Sequence, residues 1–246
     1  MSSSKRLPVS RHGLARVLSK RGLCSRTEAA RWIVAGRVTV AGRVILDPDH
    51  PTAQSAVITV DDVASALPER IYLALNKPRG LVTSVTDERG RDTIYRCLDG
   101  AGLPWLAPVG RLDKASEGLL LLCNDPQWAA LVASPDQGPD KVYHVQIDAI
   151  PDDALLTALV AGREEGGEFL RAKAVQVLRT GGRNAWLEVV LDRGRNRHIR
   201  RLLATLDVRV LRLVRVAIGT VQLGELPKGQ WRALAEDEVR ALAATA

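Results

Sequence analysis

Apolar side chains recur at helical spacing in Leu14–Lys20, and the run stops near Gly22. Ser25-Arg-Thr-Glu28 is a capping box ahead of a second apolar helical run. In such a box the Ser25 hydroxyl takes a free N–H of the first turn and Glu28 reaches back. The run continues through Ala30 and Ile33 and stops at Gly36. Val38-Thr-Val40 and Arg43-Val-Ile-Leu46 flank Ala41-Gly42 and predict a hairpin. The first sixty residues thus predict two short helices and a small sheet.

Residues 63–70 predict a linker, and Ile71-Tyr-Leu-Ala-Leu75 opens a second domain as an apolar strand. Pro78 and Gly80 break that strand. Further strands are predicted over Val142–Ile147, Trp186–Val190 and Val208–Val214. Helices are predicted over about 126–133, 152–161 and 196–205. No βαβ alternation with a Gly-rich phosphate loop is present, which argues against a nucleotide-binding fold. The class is α+β with a mixed, largely antiparallel sheet flanked by helices.

Charge changes this picture. The 246-residue chain has a net charge of +7. Residues 1–46 hold ten Lys/Arg and one acid, Glu28, whereas the rest carries a net of −2. A second cluster, residues 193–215, holds eight arginines against Asp207 alone. Two concentrated basic patches on a balanced surface suit phosphate contacts, or simply solvated basic faces. Cys24, Cys97 and Cys123 are widely spaced, which suits a reducing cytoplasm and does not suggest structural zinc. No run reaches the roughly 20 apolar residues of a membrane span. The start, MSSSKRLPVSRHG, has no apolar core of a secretory signal and predicts a disordered tail over 1–10.

The sharpest segment is Gly110-Arg-Leu-Asp113-Lys-Ala-Ser-Glu-Gly118, a polar turn feeding the apolar Leu119–Leu122. Its glycines let the backbone bend and a ligand come close. On pattern alone Asp113 reads as a turn-capping carboxylate, and Arg111 could pair with it or touch a polyanion.

GRLDxxSxGLLLL resembles the signature of the pseudouridine synthases, in which this Asp is the indispensable catalytic residue. LARVLSKRGLCSRTEAARWIVAGRVTVAGRVI resembles an S4 RNA-binding domain. Asn76-Lys-Pro-Arg-Gly80 with Gly90-Arg91-Asp-Thr93, Lys141-Val-Tyr143-His-Val145 and Gly194-Arg-Asn-Arg197-His-Ile-Arg200-Arg-Leu202 resemble three further motifs of the RsuA/RluB branch, in the right order. The resemblance implies a tail over 1–10, an S4 domain over 11–62, a linker over 63–70 and a synthase domain over 71–246. It implies Asp113, Tyr143 and Arg200 as the catalytic set, with Arg200 as the partner that keeps Asp113 ionised. Arg111 would fill the space left by a flipped base. Arg16, Lys20, Arg26, Arg31, Arg37, Lys77, Arg91, Arg195 and Arg197 would contact RNA.

It also implies a reaction without cofactor or metal. The substrate would be one uridine of ribosomal RNA or of a ribosomal subunit precursor, with the large subunit favoured. The protein would be a cytoplasmic monomer. His198 departs from the family's Gln; it could donate a hydrogen bond in a pH-sensitive way, or be a plain surface-helix histidine. Two other classes remain: a non-catalytic S4-type RNA-binding or assembly factor, and a glycosidase. The latter would need two paired carboxylates, and only one acid is well placed.

Overall fold

The computed structural model describes residues 11–61, 63–64, 68–85, 87 and 89–244. The tail expected over 1–10 and residues 65–67 of the expected linker lie outside the described residues. Contacts divide the chain into two compact units: one runs to Ile71 and adds Leu103–Ala107 and Asn124–Pro126, and the other holds the rest.

The first unit contains β1 (Arg11–Gly13), α1 (Leu14–Lys20), α2 (Arg26–Val34), β2 (Val38–Val40), β3 (Arg43–Val44), β4 (Pro51–Ala53), β5 (Ile58–Val60) and β6 (Val63–Ala64). β3-β2-β5-β6 form one antiparallel sheet, and β1 pairs with β4. β6 lies where the linker was expected, so the sheet reaches further along the chain than the sequence suggested. Leu14, Val17 and Leu18 of α1 pack with Ala29 and Ile33 of α2, all buried. Ser25 caps α2, its hydroxyl accepting from the Glu28 N–H at 3.1 Å. The Glu28 side chain does not complete the box. It accepts instead from Trp32 Nε1 at 2.8 Å and Arg31 at 3.3 Å, donors one turn along its own helix. At the far end Gly36 has φ +74, with the Arg37 and Gly36 N–H groups closing on the Trp32 and Ile33 carbonyls. Ala41 and Gly42 both have positive φ, the geometry of a tight I′ hairpin turn.

The second unit contains β7 (Tyr72–Lys77), a 3-10 turn (Ile94–Leu98), β8 (Ala107–Val109), β9 (Glu117–Cys123), α3 (Pro126–Val132), β10 (Lys141–Ile147), α4 (Asp153–Ala161), β11 (Arg163–Glu165), β12 (Glu168–Leu170), β13 (Ala174–Thr180), β14 (Ala185–Leu191), α5 (His198–Ala204), β15 (Val210–Ile218), β16 (Val221–Gln222), β17 (Trp231–Ala233) and α6 (Glu236–Ala244). Its main sheet runs β13-β14-β10-β15-β9-β7-β17, with β16 against β15 and β8 against β9. Within that order β9–β15 is parallel and its neighbours pair antiparallel. The sheet is therefore mixed and largely antiparallel.

β9 is buried at all seven positions, and its apolar run from Leu119 to Cys123 suits a strand covered on both faces. Leu119, Leu121 and Cys123 pack with Trp128 and Val132 of α3 and Leu242 of α6. Each buried leucine contributes roughly 1.5–3 kcal/mol, so the strand is a rigid base for the turn that precedes it. Gly118 has φ +100, and a Cβ there would lie 2.3 Å from the Arg215 carbonyl oxygen. This glycine admits the β15 backbone, not a ligand as its sequence position suggested.

Candidate active site

The turn Gly110–Ser116 leads into β9 and is held through its backbone. Ser116 N–H donates to the Asp113 carbonyl at 3.0 Å. Buried Thr83 donates from its hydroxyl to the Leu112 carbonyl at 2.7 Å and accepts from the Leu112 N–H at 3.4 Å. Gly80 N–H reaches the Lys114 carbonyl at 2.7 Å.

Lys77 is the centre of this clamp. It is fully buried at the end of β7, and its ammonium donates to the carbonyls of Ser116 (2.8 Å), Pro78 (3.0 Å) and Asp113 (3.2 Å). Burial pulls its pKa down to about 8, against the upward pull of Asp113 and other acids. The sequence reading gave Lys77 to RNA. The structure corrects this, because every donor of the ammonium is spent inside the protein. Its place at the end of a strand buried from Leu73 onward is the cause.

The Asp113 carboxylate itself projects into a cavity and is about one-third exposed. Arg197 Nη1 lies 3.5 Å from its Oδ2. The expected partner, Arg200, lies in the first turn of α5 and donates instead to the carbonyls of Ala115 (3.4 Å) and Val210 (3.3 Å). Burial and then the charge of Arg197 lower the Arg200 pKa, while Asp113 raises it. A guanidinium stays charged regardless. Arg197 caps α5 in the left-handed region, φ 49 and ψ 31, a conformation that costs a non-glycine residue about 1–3 kcal/mol. The strained residue is the one that meets the carboxylate.

The other walls come from the sheet and α5. Tyr143 and Lys141 of β10, Leu213 and Arg215 of β15, Leu191 of β14, and His198 and Ile199 of α5 line a cavity of about 150 Å³ with Asp113 and Arg200. A water needs about 10–15 Å³ of such space, so the cavity has room for a small ring. The β10–β15 register shifts between Val142 and Tyr143, skipping Val216, so that Arg215 lies opposite Tyr143. Without this bulge Arg215 would face away from the cavity. Asp113, Tyr143 and Arg200 are thus brought to one cavity from a turn, a strand and a helix.

His198 is buried, which corrects its reading as a surface residue. It opens α5, and its Nε2 accepts from the Arg171 N–H at 3.1 Å. Burial lowers its pKa, so the ring is held neutral with its proton on Nδ1.

The basic candidates differ in how committed they are. Arg111 and Arg195 are exposed at the cavity, and Arg195 pairs with Glu168 at 3.4 Å. Arg91 is tied to Asp87 by paired hydrogen bonds that hold that carboxylate well below the usual range. In the first unit Arg16 is exposed. Arg26 lies 3.7 Å from Asp49 and Arg31 3.3 Å from Glu28. Lys20 approaches His12 at 3.2 Å, and Arg37 grips Asp61 with two bonds. Sequence reasoning missed Arg215, whose signal was its spacing: Arg212 and Arg215 are three apart on one strand, so their side chains take opposite faces.

The RNA pseudouridylate synthase family pattern matches residues 71–205, and the S4 domain pattern matches residues 13–57. An uncharacterized RNA pseudouridine synthase of Rickettsia conorii is 35% identical over 90% of this chain and 95% of its own length. A second, from Mycobacterium bovis, is 38% identical over 92% of this chain and 91% of its own. The crystal structure of a pseudouridylate synthase superposes with a TM-score of 0.65 at 29% identity, covering 94% of this chain and 99% of that one. The chain belongs to the RNA pseudouridylate synthase family and carries an N-terminal S4 domain.

Proposed function

We propose that this protein converts one uridine of folded ribosomal RNA, in the large subunit (23S), to pseudouridine, with Asp113 as the catalytic carboxylate. The observation that carries the reading is the convergence of Asp113, Tyr143 and Arg200 on one ring-sized cavity. A uridine within folded RNA reaches such a cavity only by flipping out. Tyr143 then stacks on the uracil, and exposed Arg111 fills the space the base leaves. Arg197 and Arg200 place positive charge beside Asp113.

The reaction is an internal transfer. The N1–C1′ bond breaks, the uracil turns, C5 bonds to C1′, the C5 proton leaves and N1 gains one. Asp113 acts by attack on C1′, by attack on C6, or by assisting a glycal. The first unit supplies Arg16 and its neighbours for RNA phosphates, and the branch resemblance supports ribosomal RNA, or a subunit precursor, as the partner of a cytoplasmic monomer. The test is to incubate the protein with ribosomal RNA and map pseudouridine by base-specific chemical tagging and primer extension. One new stop in large-subunit RNA is the expected result. Tight binding without any stop would replace this reading with a non-catalytic RNA-binding one.

A further inference from the structure

Arg215 is only 5% exposed, yet it is not fully used by the protein. Its Nε donates to the Leu119 carbonyl at 2.7 Å, but its Nη2 is buried with no hydrogen-bond partner. A buried charged donor left unpaired is costly. The cost is understandable where a ligand brings the missing acceptor.

Lys141 stands on the same cavity wall, 8% exposed, and its charge and that of Arg215 oppose each other. Asp140 and Asp192 compensate Lys141 in part, and Asp113 lies in the same cavity. Tyr143 is two residues from Lys141 and directly across the strand pair from Arg215. A base lying on Tyr143 would therefore bring its polar edge toward Arg215.

We propose that Arg215, supported by the charge of Lys141, binds a carbonyl oxygen of the target uracil and stabilises the negative charge the ring gains during bond cleavage. The inference rests on the function proposed above. When N1–C1′ breaks, the electron pair stays on the ring, spread over N1, O2 and O4. C1′ is taken by the Asp113 carboxylate or loses its C2′ proton to a glycal. The ring then bonds to C1′ through C5 as the Asp113 carboxylate leaves or the C2′ proton returns, releases the C5 proton and takes one at N1. A fixed donor aimed at O2 or O4 lowers the barrier to the first step, because it meets charge that is absent in the bound substrate. A uracil oxygen is preferred to a phosphate because Nη2 lies deep in the wall, whereas the exposed Arg111 and Arg195 are placed for the backbone.

The test uses full-length protein and RNAs carrying uridine, 2-thiouridine or 4-thiouridine at the target, each with tritium at C5. Sulfur accepts hydrogen bonds poorly, so wild type should turn over one of the thio RNAs about tenfold more slowly. Arg215→Gln should lower kcat on uridine by on the order of a hundredfold with little change in KM, and should erase that preference. Lys141→Met should lower kcat in the same sense. Wild type that shows no preference against either thio RNA overturns the proposal without need of any variant. A preference that survives in folded Arg215→Gln also overturns it. Wild type inactive on uridine itself would instead overturn the proposed function.

Discussion

The ammonium of Lys77 donates to the main-chain carbonyl of Asp113 at 3.2 Å, so a buried cation holds the backbone of this residue and leaves its carboxylate to the cavity. Lys77→Met should therefore lower kcat about tenfold or more while leaving RNA affinity nearly unchanged, because a misplacement of about 1 Å near reacting groups is costly. Stability has its own signature. The folded pKa of Lys77, about 8, lies below the unfolded value near 10.4. Between these values the unfolded chain holds more protons, so wild-type stability rises with pH through that window. Urea titrations at pH 7.5 and 10.5 should show this rise in wild type and a smaller one in Lys77→Met. Equal rises would mean that Lys77 is not the group titrating.

His198 gives a second pH effect, on the acid side. Its folded pKa is lowered by burial, so it contributes stability that is present above about pH 6.5 and lost as the pH falls toward the folded value. Protonation would also remove the acceptor for the Arg171 N–H and loosen the start of α5, where Arg197 meets Asp113. His198→Gln keeps a neutral acceptor. Its activity and melting temperature should fall less than those of wild type between pH 7 and 5. Parallel profiles would contradict this account.

Gly118→Ala should destabilise the protein by about 3 kcal/mol or more, since the new methyl has only backbone to move against and the φ of +100° is unsuited to it. Chemical denaturation measures this directly. A loss under about 1 kcal/mol would show that β9 and β15 can separate at this point.

The first unit's role in RNA binding should appear in salt dependence. Arg16 is exposed, whereas Arg37 is gripped by Asp61. Arg16→Ala should lower the slope of log affinity against log salt by about 0.7–0.9, the share of one phosphate contact. Arg37→Ala should change it less, as Asp61 already neutralises that charge. An unchanged slope for Arg16→Ala would remove it from the interface.

Much of the fold was legible because its signals are local. The helices at Leu14–Lys20 and Arg26–Val34 and the hairpin at Ala41-Gly42 follow from spacing and turn chemistry. β13, with exposed side chains along an edge, gave no clear alternation, and the short β11, β12 and β17 gave too few residues for any periodicity. The site was legible as motifs but not as partners. Which arginine meets Asp113 depends on the left-handed turn at Arg197, and the burial of Lys77 and His198 depends on what packs over them. Arg215 reaches the cavity through a bulge that no single strand encodes.

Catalysis of uridine isomerisation by Asp113 is tested by tritium release from ribosomal RNA labelled at C5 of uridine, with wild type and Asp113→Asn side by side. Forming pseudouridine replaces the C5 hydrogen with a bond to the sugar, so the label passes to water. Wild type should release the label, and Asp113→Asn should release none above background. That variant should melt close to wild type, because the turn is held by Lys77 and Thr83 through its backbone. Release by Asp113→Asn at a rate near wild type, or none by wild type on RNA that it binds tightly, would contradict it.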